Sequence, residues 1–170
     1  MRLSALTPSR LVTGAVIAAA VAASGCVSMS RSSEVTALDS ARAAGSRVSE
    51  VRLTTDEGVT VRPEFEDIFR QHVQSKLNAC ATGPRPLRLE ASISRLDRAN
   101  PAQVVLIGGA NVLRGNARLV DPTTGAVVAE YEIGKTIVGS RLSIFQMAES
   151  EEQLSDAFGS ELCDQAFDAE

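Results

Sequence analysis

Apolar side chains recur at every second residue in four stretches of the chain, which predicts four β-strands. The first is short, at 51–53, and the second runs through 87–93. The third and fourth, at about 112–120 and 127–133, flank an Asp-Pro-Thr-Thr-Gly sequence at 121–125. Because aspartate, proline and glycine each suit a particular turn position, this sequence predicts a hairpin between the last two strands.

Two further stretches repeat their apolar residues at three- and four-residue spacing, which predicts amphipathic helices. The first spans about 65–80, after Pro63 and before the helix-stopping pair Gly83–Pro84. The second spans about 150–167 and carries Glu151 and Glu152 in its first turn. The apolar stripe of this second helix consists of Leu154, Phe158, Leu162 and Ala166.

The element order is strand-helix-strand-strand-strand-helix, which predicts an α+β fold. We expect a mostly antiparallel sheet of about four strands with two helices packed on one face. The folded domain is predicted at 48–170. Residues 26–47 are rich in serine, alanine and arginine and hold few large apolar side chains, so this segment is predicted to be a flexible tether. Such a tether would span about 25 Å.

The first 25 residues have the pattern of a secretory signal peptide. Arg2 and Arg10 precede an uncharged apolar run at 11–22, which ends in the small residues before Cys26. A plain cleaved signal or a membrane anchor is the alternative, although the run is shorter than the ~20 residues of a membrane span. The Ala-Ser-Gly-Cys ending resembles the lipobox of bacterial lipoproteins. This resemblance implies cleavage before Cys26 and acylation of both its thiol and its new amino group.

Multiple acyl chains give stable anchoring, so the mature protein is expected to have the membrane as its partner through the lipid anchor. Val27 follows the cysteine. In enteric bacteria an aspartate at that position marks retention in the inner membrane, and Val27 therefore implies, by resemblance, the outer membrane, with the domain facing the periplasm.

Charge and composition exclude several classes of ligand. The 17 basic residues include two in the leader, so the mature chain carries 15 against 21 acidic residues, a net charge of −6. Nucleic acids and anionic lipid head groups both need a concentrated positive surface, so neither is expected to be the main partner, and no nucleic-acid partner is predicted. The chain has no tryptophan and one tyrosine, which leaves little aromatic surface for stacking on bases or sugars.

Cys80 and Cys163 are the two cysteines that remain after Cys26. Disulfides persist in exported proteins, and an even pair predicts a bridge between the two helices. Two buried free thiols are the alternative. His72 is the chain's one histidine and no Cys-x-x-Cys sequence occurs, so neither a metal nor another cofactor is predicted.

The chain offers little that is typical of catalysis. His72 adjoins the apolar stripe of the first helix, where a histidine usually packs as a boundary residue, and no Gly-x-Ser-x-Gly sequence occurs. The closely spaced carboxylates of the chain lie at helix starts or on an exposed strand face, where solvated charge is the expected role; they are Glu64, Glu66 and Asp67, then Glu130 and Glu132, and then Glu149, Glu151 and Glu152. The chain is therefore predicted to be non-enzymatic, with a hydrolase of atypical site as an alternative.

One stretch departs from this patterning, the uncharged run at 102–111. It is either a buried strand or the rim of the core, or else a mobile loop or edge that contacts a membrane protein or lipid partner. The candidate partner contacts are Val104, Val105, Leu106, Ile107 and Asn111.

The stretch 111–133, with its Leu-Arg-Gly and Leu-Val-Asp-Pro-Thr-Thr-Gly sequences, resembles small proteobacterial envelope lipoproteins of unknown function. It is also similar to the α+β domain of periplasmic lipoproteins that assist envelope assembly and export. The resemblance implies a lipid-anchored binding or scaffold module for another envelope component. An accessory lipoprotein of an export or lipid-transport machine is the alternative.

Overall fold

The computed structural model describes residues 27–100, 109–139 and 150–168. Within them lie six strands and three helices. In chain order the elements are β1 Val27–Ser30, β2 Ser33–Thr36, α1 Ser40–Ala44, β3 Ser46–Thr55, α2 Phe65–Cys80, β4 Arg85–Asp97, β5 Gly109–Val120, β6 Val127–Gly139 and α3 Ser150–Ala166.

The six strands form one mixed sheet in the order β1-β6-β5-β4-β3, with β2 also paired to β6 beside β1. All pairs are antiparallel except β3 with β4. The α+β class is confirmed, but the predicted four-stranded, mostly antiparallel sheet is corrected to six strands with one parallel pair. The parallel pair arises because α2 returns the chain to the same end of the sheet before β4 begins.

The amino-terminal segment differs most from the prediction. Where the sequence predicts a flexible tether over 26–47, residues 27–36 form β1 and β2, and α1 follows them. β6 is 13 residues long, and the two four-residue strands pair in succession along its outer side. Main-chain hydrogen bonds to an existing strand therefore order a segment that has few apolar side chains of its own.

The hairpin between β5 and β6 is confirmed. Asp121 accepts a hydrogen bond at Oδ1 from the Thr123 amide at 2.8 Å, and its carbonyl accepts one from the Gly125 amide at 2.8 Å. Gly125 has φ of 72°, a conformation that glycine adopts without strain.

Helices α2 and α3 contact each other and pack on the same face of the sheet. Phe69 of α2 and Phe158 of α3 meet edge to face, with ring centroids 5.1 Å apart. Gly159 allows this close approach, since a Cβ there would lie 2.9 Å from the Cβ of Lys76. The opposite sheet face carries alternating polar side chains, among them Arg88, Glu90, Asn116, Arg118 and Glu130.

Candidate functional site at the amino-terminal sheet edge

The predicted bridge between Cys80 and Cys163 is present as a disulfide. Cys80 closes α2 and Cys163 lies in the last turns of α3, with their Cα atoms 5.8 Å apart. The bond links the ends of the two helices that cover the sheet.

Of the residues predicted for lipidation or partner contact, the structure describes only Asn111. Cys26 and the run Val104, Val105, Leu106 and Ile107 lie outside the described residues, and their roles stay predictions. Asn111 is described and is only 5% exposed. Its Oδ1 accepts a hydrogen bond from the Ala99 amide at 2.9 Å. Because this side chain is enclosed and holds the chain end that leaves β4, its prediction as a partner contact is wrong.

His72 connects the two helices. Its Nδ1 lies 3.0 Å from Oδ1 of Asp156, and the other oxygen of that carboxylate lies 3.7 Å from Nζ of Lys76. All three side chains are partly exposed. His72 lies at the boundary between buried and exposed positions of α2, as predicted. Its partner Asp156 on α3 could not be identified from the spacing of residues in the sequence.

A fully buried carboxylate lies at the start of α3. Oε2 of Glu151 is 2.6 Å from Nε of Arg62, and its Oε1 is 3.2 Å from a terminal nitrogen of Arg98. Hydrogen bonding to Glu151 raises the pKa of Arg62, because it outweighs the opposing effect of desolvation. Sequence reasoning placed Glu151 in a solvated first turn and missed this contact, since neither arginine is near it in the chain.

A second, partly buried network holds β1 against the helix layer. Nζ of Lys135 on β6 pairs with Oε2 of Glu161 on α3 and donates to Oγ of Ser30 at 2.5 Å. The Ser30 hydroxyl donates to the same carboxylate oxygen at 2.8 Å, and Gln165 donates to the other oxygen at 2.8 Å. Burial alone would raise the pKa of Glu161, but the hydrogen bonds from Lys135, Ser30 and Gln165 lower it to about 2.

The chain that follows β2 is also fastened. The Leu38 amide donates to the hydroxyl of Tyr131 at 2.8 Å. Burial raises the pKa of Tyr131, and the hydrogen bond from Leu38 opposes part of this effect. Ser30, at the end of β1, and Leu38, two residues after β2, thus both connect this segment to β6 side chains that face the helices.

Two properties of the described residues bear on the kind of site. No group of three or more histidine, cysteine, aspartate or glutamate side chains in 27–100, 109–139 and 150–168 is placed to hold a metal ion. No helix within those residues is long and apolar enough to cross a membrane. The buried charged groups identified above instead connect elements of the fold.

No family model and no curated protein matches the chain. Among the solved structures that are similar to it in fold are two bacterial proteins. One is the PelC dodecamer from Paraburkholderia phytofirmans, with a TM-score of 0.53, 14% identity, and coverage of 82% of this chain and 99% of that one. The other is protein XCC0632 of family DUF330 from Xanthomonas campestris, with a TM-score of 0.51, 15% identity, and coverage of 69% and 81%. At these identities the likeness establishes the fold.

Proposed function

We propose that this chain is a lipid-anchored, non-enzymatic scaffold protein of the bacterial envelope, which offers a folded surface to another envelope component. The observation that carries the proposal is the attachment of β1. The strand starts one residue after Cys26 and is fastened to β6 and α3 through Ser30. A lipid on Cys26 would therefore hold the domain itself, with no tether between them.

The open sheet face supplies the surface for a partner. Between β2 and β4 it forms a shallow groove of about 750 Å³. Side chains of both charges line it, including Arg118, Glu130 and Glu132. Glu130 accepts a hydrogen bond from Asn116 at 2.8 Å, which holds part of this polar surface in place. A mixed-charge face of this kind suits a polar macromolecular surface better than a small apolar ligand.

Self-association belongs to the proposal. The PelC structure that shares this fold is a dodecamer. In the present chain β3 forms one margin of the sheet and is ten residues long. A long marginal strand presents main-chain groups to another chain unless it is covered. We therefore expect several copies to associate on the membrane, and we place the assembly on the periplasmic side of the outer membrane.

The anchor is tested by mass spectrometry of the amino-terminal peptide of the mature protein. An acyl mass on Cys26 is expected, and Cys26→Ser should release the domain from the membrane fraction. A free thiol at Cys26 or an uncleaved leader would contradict the anchor. Sedimentation of the acylated protein in mild detergent then tests self-association, for which a monomer is the contrary result.

The binding surface is tested by crosslinking in intact cells, followed by purification of the chain. Arg118→Glu, in the groove, should abolish a crosslinked species that the unaltered protein forms. Arg70→Glu is the matched control, since Arg70 is an exposed arginine on α2. Equal loss with both variants, or with neither, would contradict the assignment of the groove.

A further inference from the structure

The open face of the sheet changes character in steps along β6. Lys135 faces the helices, and successive side chains of a strand alternate, so Thr136 and Val138 face the opposite way. Val138 pairs with Val27 of β1 on one side and Ala110 of β5 on the other. Thr136 pairs in the same way with Met29 and Val112.

Residues directly opposite each other share a face, and these rows therefore form one surface. We name it the apolar corner, and it consists of Val27, Met29, Ala110, Val112 and Val138. Val27 is 58% exposed, Met29 59% and Val138 38%. Large apolar side chains at such exposure are costly to leave in water when they adjoin one another.

The next rows away from this end are charged, and in a definite order. Gly134 lies between Arg31, whose amide donates to the Gly134 carbonyl at 2.8 Å, and Arg114, its partner on β5. Both arginines are exposed and line the groove. On β4, Asp97 is the partner of Val112, and its carboxylate forms an ion pair with Arg95. Along β6 the acidic side chains of Glu132 and Glu130 come only after the two arginines. Along this strand and its β1 and β5 partners, apolar, cationic and acidic positions thus succeed one another with increasing distance from Val27.

We infer that the apolar corner and its two arginines are a docking surface for the phospholipid bilayer, an inference that rests on the lipid anchor proposed for Cys26. Cys26 directly precedes Val27, so an acylated Cys26 places this end of the sheet at the membrane. Val27, Met29 and Val138 enter the boundary between head groups and acyl chains. Arg31 and Arg114 then lie at the level of the phosphates, which they bind, and the glutamates stay in water.

The chain has no tryptophan, so a single introduced tryptophan reports on its own position without background. β6 offers a matched pair of sites. Val138 is 38% exposed in the apolar corner, and Val127 is 40% exposed at the other end of the strand, about 36 Å away. Val138→Trp and Val127→Trp are prepared in the full chain, acylated in cells, purified and reconstituted into phosphatidylethanolamine–phosphatidylglycerol vesicles containing brominated lipid.

Flotation of the vesicles is measured first, and fluorescence quenching by the brominated lipid second. We expect both variants to float and Val138→Trp to be quenched several-fold more strongly than Val127→Trp. If both variants float but their tryptophans are unquenched, or are quenched equally, the proposed docking surface is wrong. The lipid anchor on Cys26 would still be supported by the flotation. Absence of flotation would overturn the anchor together with this inference.

A second pair of variants separates lipid contact from contact with another copy of the chain. Val27→Glu with Met29→Glu should reduce the quenching of a tryptophan at position 138 to the level of the distant site, while flotation persists through the acyl chains. Val127→Glu should leave that quenching unchanged. The contrary result is a tryptophan at position 138 that is shielded from water but not quenched, in a protein whose mass is a multiple of the monomer mass. It would show that a second copy of the chain covers the apolar corner, and it would overturn the proposal.

Discussion

Lys135 on β6 and Glu161 on α3 form an ion pair whose side chains are only 10% and 12% exposed. The hydroxyl of Ser30 contacts both of them. One buried pair therefore connects three elements, the amino-terminal strand, the central part of β6 and the last helix. An ion pair in such surroundings persists because each charge is hydrogen-bonded as well as neutralised.

Acid should destabilise the protein through Glu161. Its pKa is lowered from 4.5 to about 2 in the folded state, so the unfolded chain binds the proton more tightly. The resulting stabilisation is fully present above about pH 5.5 and is lost as the pH falls through 4.5 toward 2, amounting to about 3 kcal/mol. Thermal unfolding of wild type and Glu161→Gln across this range measures it. The loss of stability at low pH should be smaller in Glu161→Gln than in wild type. The control Glu57→Gln, in an exposed turn, should lose as much stability as wild type.

Reduction of the Cys80–Cys163 disulfide should lower stability without abolishing the fold. The bond spans 83 residues, for which the chain-entropy model gives about 4.5 kcal/mol. Urea unfolding of the oxidised and reduced proteins tests this value. The double variant Cys80→Ser, Cys163→Ser should match the reduced wild type, and equal midpoints for all three forms would contradict the prediction.

Gly134→Ala should release the amino-terminal strands. A Cβ at this position would lie 2.5 Å from the Arg31 carbonyl oxygen, where β1 passes into β2. Hydrogen exchange should show faster exchange of the β1 and β2 amides, with β5 and β4 protected as before. Gly58→Ala is the control, because Gly58 has φ of 89° but nothing within 4 Å of an added Cβ. It should cost about 1 kcal/mol of backbone strain and leave β1 and β2 protected.

Glu151→Gln should cost about 2–3 kcal/mol of unfolding free energy, since it weakens two charged hydrogen bonds of a fully buried group to Arg62 and Arg98. The adjacent Glu152 is a matched control. It pairs with the same Arg62 at 3.2 Å but is 27% exposed. Glu152→Gln should cost less than about 1 kcal/mol. Denaturant unfolding distinguishes the two, and similar losses would be evidence against the buried network.

His72→Ala should leave crosslinked partner capture unchanged and lower stability by no more than about 1 kcal/mol, because the His72–Asp156 contact is partly exposed. The crosslinking assay described above measures the first effect and thermal unfolding the second. Loss of capture with an intact fold would assign His72 to function and favour the hydrolase alternative.

The elements that depend on a local pattern are predictable from the amino-acid sequence. Alternation located β4, β5 and β6, three- and four-residue spacing located α2 and α3, and Asp121 with Gly125 predicted the hairpin. Each of these signals arises within one element or between neighbours in the chain, so no knowledge of the fold is needed to find it. The pairing of Cys80 with Cys163 was also foreseeable, because only two cysteines remained and each lay on a predicted helix.

The position of the first two strands in the sheet and the burial of particular charged side chains depend on the tertiary structure. The alternation of Val27 and Met29 with serines is a weak strand signal, and it becomes β1 because the outer side of β6 supplies main-chain partners. Glu151, at a helix start, was predicted to be solvated, and no local signal marks Glu161 as a residue of the interior. Arg62 and Lys135 reach these two carboxylates from elements distant in the chain. Hydrogen bonds and ion pairs between residues so distant in the chain depend on how the elements pack. They therefore cannot be predicted from a local pattern of apolar and polar positions.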